Sequence, residues 1–154
     1  MSILDKIRKL LESHNIQYNF FEHEPTPTSE IASKVRGVPL DQGAKAMVLR
    51  SEGNFLMVVL QAHRKIDFSK MKNILNTRSV SFATHEEVEQ VTGCIPGGVP
   101  PFGNLFSIPV YADKDLAEIE NMDFNAGLQT ASIEMKVKDW INEVNPVVVD
   151  LAKG

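Results

Sequence analysis

The sequence predicts an α/β fold of the α+β type: one compact domain, residues 1–154, in which a mixed, mostly antiparallel β-sheet is surrounded by helices. Three observations carry this expectation. The chain has 154 residues, 43% of them hydrophobic and 23% charged, which suffices for one buried core and falls short of two. Stretches of helical period interleave with alternating or continuous apolar runs. The links between those runs are short, which favours hairpin pairing over the long crossovers of a doubly wound parallel sheet.

The elements follow in order. Ile3, Leu4, Ile7, Leu10 and Leu11 recur at helical spacing behind Ser2, an N-cap with Asp5 three residues on. Ile16, Tyr18 and Phe20 alternate as in a half-buried strand, which Pro25-Thr26-Pro27 ends. Thr28 or Ser29 then caps a short helix through Ile31, Ala32 and Val35 that stops at Gly37. Lys45 to Arg50 and Phe55 to Ala62 read as a hairpin around Ser51-Glu52-Gly53-Asn54, at the centre of the sheet. Phe68 to Leu75 is a helix with Asp67 as its N-cap, Ser79 to Ala83 a strand, and Thr84-His85-Glu86-Glu87 a capping box opening another helix. Beyond a Gly/Pro segment, Phe106 to Tyr111 reads as a strand and Leu116 to Ile119 as a helical turn. Met122 to Phe124 and Leu128 to Met135 read as strands about Gly127, and a last helix presents Val137, Trp140, Ile141 and Val144 on one face.

Several classes drop out. The apolar run Phe55 to Leu60 is far shorter than the roughly 18 to 20 residues of a membrane span. The amphipathic start with Asp5, Lys6, Arg8 and Lys9 lacks the features of a secretory signal, so a cytoplasmic location is expected. A single cysteine, Cys94, excludes an intramolecular disulfide and a cysteine-rich zinc site. His14, His23, His63 and His85 never fall two, three or four residues apart, so no metal site is expected. The net charge is −4, but residues 30–80 hold nine basic and four acidic side chains, a local +5 against −9 elsewhere. That segment suits a phosphate-facing surface as well as it suits ordinary solvated faces.

The most informative segment is Gly93-Cys94-Ile95-Pro96-Gly97-Gly98-Val99-Pro100-Pro101-Phe102-Gly103. Proline stiffens it, glycine lets a ligand approach its backbone, and exposed N–H groups in such a loop can bind an anion or a developing oxyanion. A long structural turn is the plainer reading. No Gly-Lys-Ser/Thr follows, so it is not a P-loop. Cys94 beside it suggests a thiol nucleophile, but no histidine neighbours it, which favours an inert or pocket-lining thiol. Tyr18 and Phe20 read as strand core, with the option that one aromatic stacks on a terminal adenine.

Gly43-Ala44-Lys45-Ala46-Met47-Val48-Leu49, His63-Arg64-Lys65-Ile66-Asp67, the Gly/Pro loop, and Asn125-Ala126-Gly127 with Thr130-Ala131-Ser132-Ile133-Glu134-Met135 resemble, in order and spacing, the YbaK/prolyl-tRNA synthetase-associated editing domains. The resemblance runs from about His23-Glu24-Pro25 to the last helix. It implies a freestanding trans-editing aminoacyl-tRNA deacylase, a metal-free hydrolase without cofactor. Its substrate would be the 3′ acceptor end of a mischarged tRNA, that for proline carrying a small amino acid such as alanine or cysteine. A synthetase is a further partner, no membrane is involved, and the protein is a monomer or weak homodimer.

By the same resemblance Lys45 is the central polar residue of the site, anchoring the terminal phosphate or ribose, and Gly97 and Gly98 offer backbone N–H groups to the ester carbonyl. Tyr18, His23, Ala46, Arg64, Val99, Pro100, Pro101, Gly103, Gly127 and Ser132 are the expected substrate-binding residues. A ribose hydroxyl of the substrate would help activate the water, so no protein triad is required. Where the cysteinyl-specific branch carries Arg-Gly-Leu-Asp-Ile-Glu-Leu, this chain places Ser132 at the aspartate position, leaving alanyl or another small aminoacyl ester open. The alternatives are a non-catalytic module that holds tRNA ends or a synthetase, and a domain that binds an anionic metabolite.

Overall fold

The computed structural model describes residues 1–25, 37 and 39–154. Four helices and eight strands occupy them. These are α1 (Ile3–Ser13), β1 (Tyr18–Glu22), β2 (Ala44–Ser51), β3 (Asn54–Gln61), α2 (Phe68–Leu75), β4 (Ser81–Phe82), α3 (His85–Thr92), β5 (Val110–Asp113), β6 (Asn121–Asn125), β7 (Ala131–Lys136), α4 (Val137–Val144) and β8 (Val147–Val149). The helix expected through Ile31, Ala32 and Val35 lies outside the described residues.

Local chemistry sets the element boundaries. Ser2 caps α1 by accepting from Asp5 N at 3.1 Å, Asp67 caps α2 by accepting from Lys70 N, and Thr84 and Glu87 exchange both bonds of a capping box at α3. Glu52 and Gly53 both have positive φ, 50° and 81°, which makes the β2–β3 link a two-residue type I′ turn whose twist matches its strands.

The strands form two sheets rather than one. A five-stranded sheet runs β4-β2-β3-β5-β8, and a three-stranded antiparallel sheet runs β1-β7-β6. Only β3–β5 and β5–β8 pair in parallel, so the mostly antiparallel expectation holds. The two sheets meet where Gly43 bridges Asp123 in parallel at the start of β2. Between their inner faces lies the main core, built from Ala44, Ala46, Val48, Met57, Val59, Phe102, Met122, Phe124, Ile133 and Trp140 and closed by Ile7 and Leu11 of α1. A second core of Leu49, Leu56, Val58, Leu60, Ile66 and Met71 packs α2 on the outer face of the five-stranded sheet. Because β3 is covered on both faces, its sequence is continuously apolar rather than alternating.

Several boundaries differ from expectation, among them the strand expected from Leu128, which begins at Ala131. The strand expected over Phe106 to Tyr111 begins only at Val110, since Ser107 at φ 58° and Pro109 hold the chain off the ladder until the Pro109 carbonyl accepts from Met57 N at 2.8 Å. The Ser79 to Ala83 strand shortens to Ser81–Phe82, a two-residue edge. Val147–Val149 adds β8, three residues too brief to carry a period. The chain end is tied down by Asp113. This buried carboxylate accepts from Leu151 N and Ala152 N at 3.1 Å and faces Arg64, which is also paired to Asp115. No helix among the described residues is long and apolar enough to cross a membrane.

Candidate active site

Strand alternation turns polar side chains outward on both sheets. Ala44, Ala46 and Val48 of β2 point into the main core, so Lys45 and Met47 face outward. On β6 and β7 Met122, Phe124, Ile133 and Met135 point inward, which turns Asp123, Asn125, Ser132 and Glu134 outward. Pairing sets Ser132 against Asn125 and Phe21, and Glu134 against Asp123 and Asn19. The Gly43–Asp123 bridge continues this surface onto β2. Lys45 and Asn125 each stand two residues beyond this bridge, on β2 and β6.

Around this surface the side chains are mutually held. Asn125 Nδ2 donates to the Gly97 carbonyl at 2.6 Å, which fastens the Gly/Pro loop to the end of β6, and Gly127 N donates to the Gly98 carbonyl at 2.9 Å. His23 Nδ1 lies 2.7 Å from the Glu24 carbonyl, a group that only accepts, so this nitrogen carries the hydrogen. In the neutral ring Nε2 is then an acceptor, and it takes the Ser132 hydroxyl at 2.6 Å, with Asn125 Oδ1 3.5 Å from the same oxygen. Ser132 is buried and His23 half-buried, so the histidine is the member of this pair that an entering ligand reaches. Gln42 Nε2 donates to Asp123 at 3.3 Å and to Glu134, and Asn19 Nδ2 donates to Glu134 at 2.9 Å.

Lys45 is half-buried. Burial pushes its ammonium below the usual lysine range, and the positive charge of Lys65 pushes the same way. It lies in a cleft of about 350 Å3 with Met47, Lys65, Ile66, Phe68, Phe82 and Lys153.

The Gly/Pro loop divides into two parts. Ile95-Pro96-Gly97-Gly98 is a type II turn with proline second and Gly97 third at φ 87°, closed by Gly98 N donating to the Ile95 carbonyl at 3.0 Å. The turn thus consumes the Gly98 N–H, and of the two expected donors Gly97 keeps its own. From Val99 to Gly103 the chain is buried: Phe102 meets Phe124 edge-on at 5.6 Å, and Trp140 Nε1 donates to the Pro101 carbonyl at 2.7 Å. A Cβ on Gly103 would lie 2.4 Å from Val110 Cγ2 and 2.8 Å from the Ile108 carbonyl, so no side chain fits there.

Other expected site residues stand elsewhere. Ala46 is in the main core. The Tyr18 hydroxyl donates to Glu12 at 2.6 Å and accepts from Arg8 Nε at 3.0 Å, on the α1 side of β1 and opposite to Ser132. Arg64 pairs with Asp113 and Asp115 and donates to the Lys153 carbonyl at 2.8 Å, which makes it a clasp for the chain end. Cys94 is buried, its thiol donates to the Thr92 carbonyl, and burial pushes it up, away from the thiolate a nucleophile requires. Asn125 is a site residue the sequence does not single out, because an asparagine close to a glycine reads first as a turn former. Lys153 and Phe82 were invisible because only the fold brings them beside Lys45. Among the described residues no group of three or more His, Cys, Asp or Glu is arranged to hold a metal ion.

A two-sheet α+β fold with a half-buried lysine on β2 and a glycine turn fastened to β6 defines a class. The chain belongs to the aminoacyl-tRNA editing domain family, whose model matches residues 23–142. It is 30% identical over 149 residues to the multifunctional Ser/Thr-tRNA deacylase ProXp-y of Escherichia coli (strain K12), covering 94% of this chain and 89% of that one. It is 28% identical over 100 residues to the proline–tRNA ligase of Staphylococcus aureus (strain Newman), covering 63% of this chain and 18% of the ligase. The fold superposes on a crystal structure described as a trans-editing enzyme for prolyl tRNA synthetase with a TM-score of 0.87 at 24% identity, covering 100% and 99% of the two chains.

Proposed function

We propose that this protein is an aminoacyl-tRNA deacylase, which hydrolyses the ester between a wrongly attached small amino acid and the terminal ribose of a tRNA. The observation that carries the reading is the half-buried Lys45, two residues beyond the bridge that joins β2 to β6, the strand whose Asn125 fastens the Gly97 turn. The long match to a Ser/Thr-tRNA deacylase, against 18% of a ligase, supports it.

In this reading water adds to the ester carbonyl carbon, the acyl C–O bond breaks, and the ribose oxygen leaves with a proton, giving free amino acid and tRNA. Lys45 holds the terminal phosphate or ribose, and a preorganised cation in a partly dry cleft is worth more there than in water. The Gly97 N–H is the backbone donor for the developing oxyanion. His23, backed by Ser132, supplies a polar wall. Such a wall suits the small side chains of alanine, cysteine, serine or threonine, the last two being the amino acids in the E. coli relative's name. The tRNA for proline is the proposed carrier.

The test is hydrolysis of tRNAs charged with alanine, cysteine, serine or threonine, by the native protein and by Lys45→Ala. The native protein should turn over at least one ester, and Lys45→Ala should lose about 10²-fold or more in kcat/KM. Protection of every ester without turnover would make the protein a binder of tRNA ends, and full activity in Lys45→Ala would remove the anchor. The sign for stability is opposite. A lysine pushed down in the folded state opposes folding while it is charged, and the penalty eases as pH rises from the folded toward the unfolded value. Lys45→Met should therefore raise Tm at neutral pH while disabling the enzyme.

A further inference from the structure

We infer that the cleft beside Lys45 binds the single-stranded nucleotide immediately preceding the terminal adenosine of the tRNA: its 5′ phosphate on Lys65 and Lys153, its base on Phe82. This rests on the deacylase reading and extends it from the scissile ester to the strand that delivers it.

Three features meet in the cleft. The first is unpaired charge. In a chain of net charge −4, neighbouring cations are neutralised: Arg50 by Glu87, Arg64 by Asp113 and Asp115, Lys70 by Asp150. Lys45, Lys65 and Lys153 share the cleft, and among the described residues no carboxylate pairs with any of them. The backbone enforces their approach, since Ile66 bridges Ala152 and Lys153 N donates to the Lys65 carbonyl at 2.8 Å. Like charges held together without counterions are costly in isolation and suit a polyanion, whose binding they strengthen.

The second feature is an exposed aromatic. Phe82 lies on the two-residue edge strand β4, is 52% exposed, and is braced edge-on by Phe68 with ring centroids 5.1 Å apart and planes at 80°. The bracing fixes the ring while leaving surface free for stacking, which any base can use. The third is position. Lys45 lines the cleft and stands two residues beyond the Gly43–Asp123 bridge that joins β2 to β6, so a strand whose terminal adenosine sits at Lys45 has its preceding nucleotide within reach. A cleft of about 350 Å3 with an apolar floor of Met47, Ile66 and Phe68 fits a single nucleotide and excludes duplex.

Two substrates separate this inference from the reading it rests on: full-length aminoacyl-tRNA, and the corresponding aminoacyl-adenosine, which lacks the preceding nucleotides. For Phe82→Ala, Lys65→Gln and Lys153→Gln, the ratio of kcat/KM on tRNA to kcat/KM on aminoacyl-adenosine should fall about tenfold each. Phe82→Leu covers the case in which the alanine variant folds poorly. The tetranucleotide ACCA provides a readout independent of catalysis: its affinity should fall in the same variants, and the slope of log K against log salt should drop by about 0.7 for each lysine removed. An unmoved ratio, or ACCA bound equally by native protein and variants, would overturn the inference. If the native protein hydrolyses neither substrate, the deacylase reading fails, and the ACCA arm still decides whether this cleft holds RNA.

Discussion

The two halves of the Gly/Pro loop invite comparison, because composition alone makes them look alike and the fold uses them for opposite ends. Residues 95–98 form a tight turn whose third residue is exposed and whose carbonyl is fastened by Asn125. Residues 99–103 are buried and carry no freedom at all: Phe102 fills the main core, Trp140 caps the Pro101 carbonyl, and Gly103 is small because Val110 and the Ile108 carbonyl leave no room. A glycine is thus required at Gly97 by backbone angle and at Gly103 by space. The buried half anchors and the exposed half presents, which is how a loop keeps a site within the fraction of an ångström that catalysis needs.

The largest effect should come from the buried half. Gly103→Ala places a methyl inside two contacts that backbone and a branched side chain cannot relax, an overpacking cost of about 3 kcal/mol. In a chain of this size that lowers Tm by roughly 6–12 °C, measurable by thermal circular dichroism. A stable Gly103→Ala protein with normal Tm would show that the two halves are not mechanically distinct. Asn125→Ala comes next and should invert the pattern. Among the bonds of a half-buried side chain it removes the one to the Gly97 carbonyl, worth about 1 kcal/mol in stability or roughly 2–4 °C in Tm, and it releases the Gly97 turn, so kcat/KM should fall about 10- to 100-fold. Equal losses in stability and activity would mean that Asn125 supports the fold rather than the turn.

Much of this was legible in the sequence wherever one local rule decides. The caps at Ser2, Asp67 and Thr84, the β2–β3 hairpin and the Trp140 helix each rest on residues within a few positions of one another. What could not be read is what strand register creates. Nothing local says that Asp123 meets Gly43, and that bridge is what joins the strand carrying Lys45 to the strand carrying Asn125. The resemblance offers Lys45, the turn and Ser132 as candidates, whereas Tyr18 and Arg64 bond elsewhere. A tyrosine on an alternating strand reveals that it alternates, not which face is inward. An arginine in a basic run hides its carboxylate partners when they lie about fifty residues away.

The smallest expected effect is at Gly97, and it tests the comparison most closely. At φ 87° an alanine is strained by about 1 kcal/mol, and its Cβ would lie 2.8 Å from Gln129 Nε2, the far end of a flexible side chain that can swing away. Gly97→Ala should therefore cost a third of what Gly103→Ala costs, a Tm change of roughly 2–4 °C. Two variants separate the causes. Gly97→Asn, which tolerates positive φ better than alanine, should recover part of that loss if backbone angle is responsible. Gln129→Ala in the Gly97→Ala background should recover it if the contact is. Should Gly97→Ala prove as damaging to stability as Gly103→Ala, with neither variant restoring it, the turn would be part of the core packing and the loop a single rigid wall.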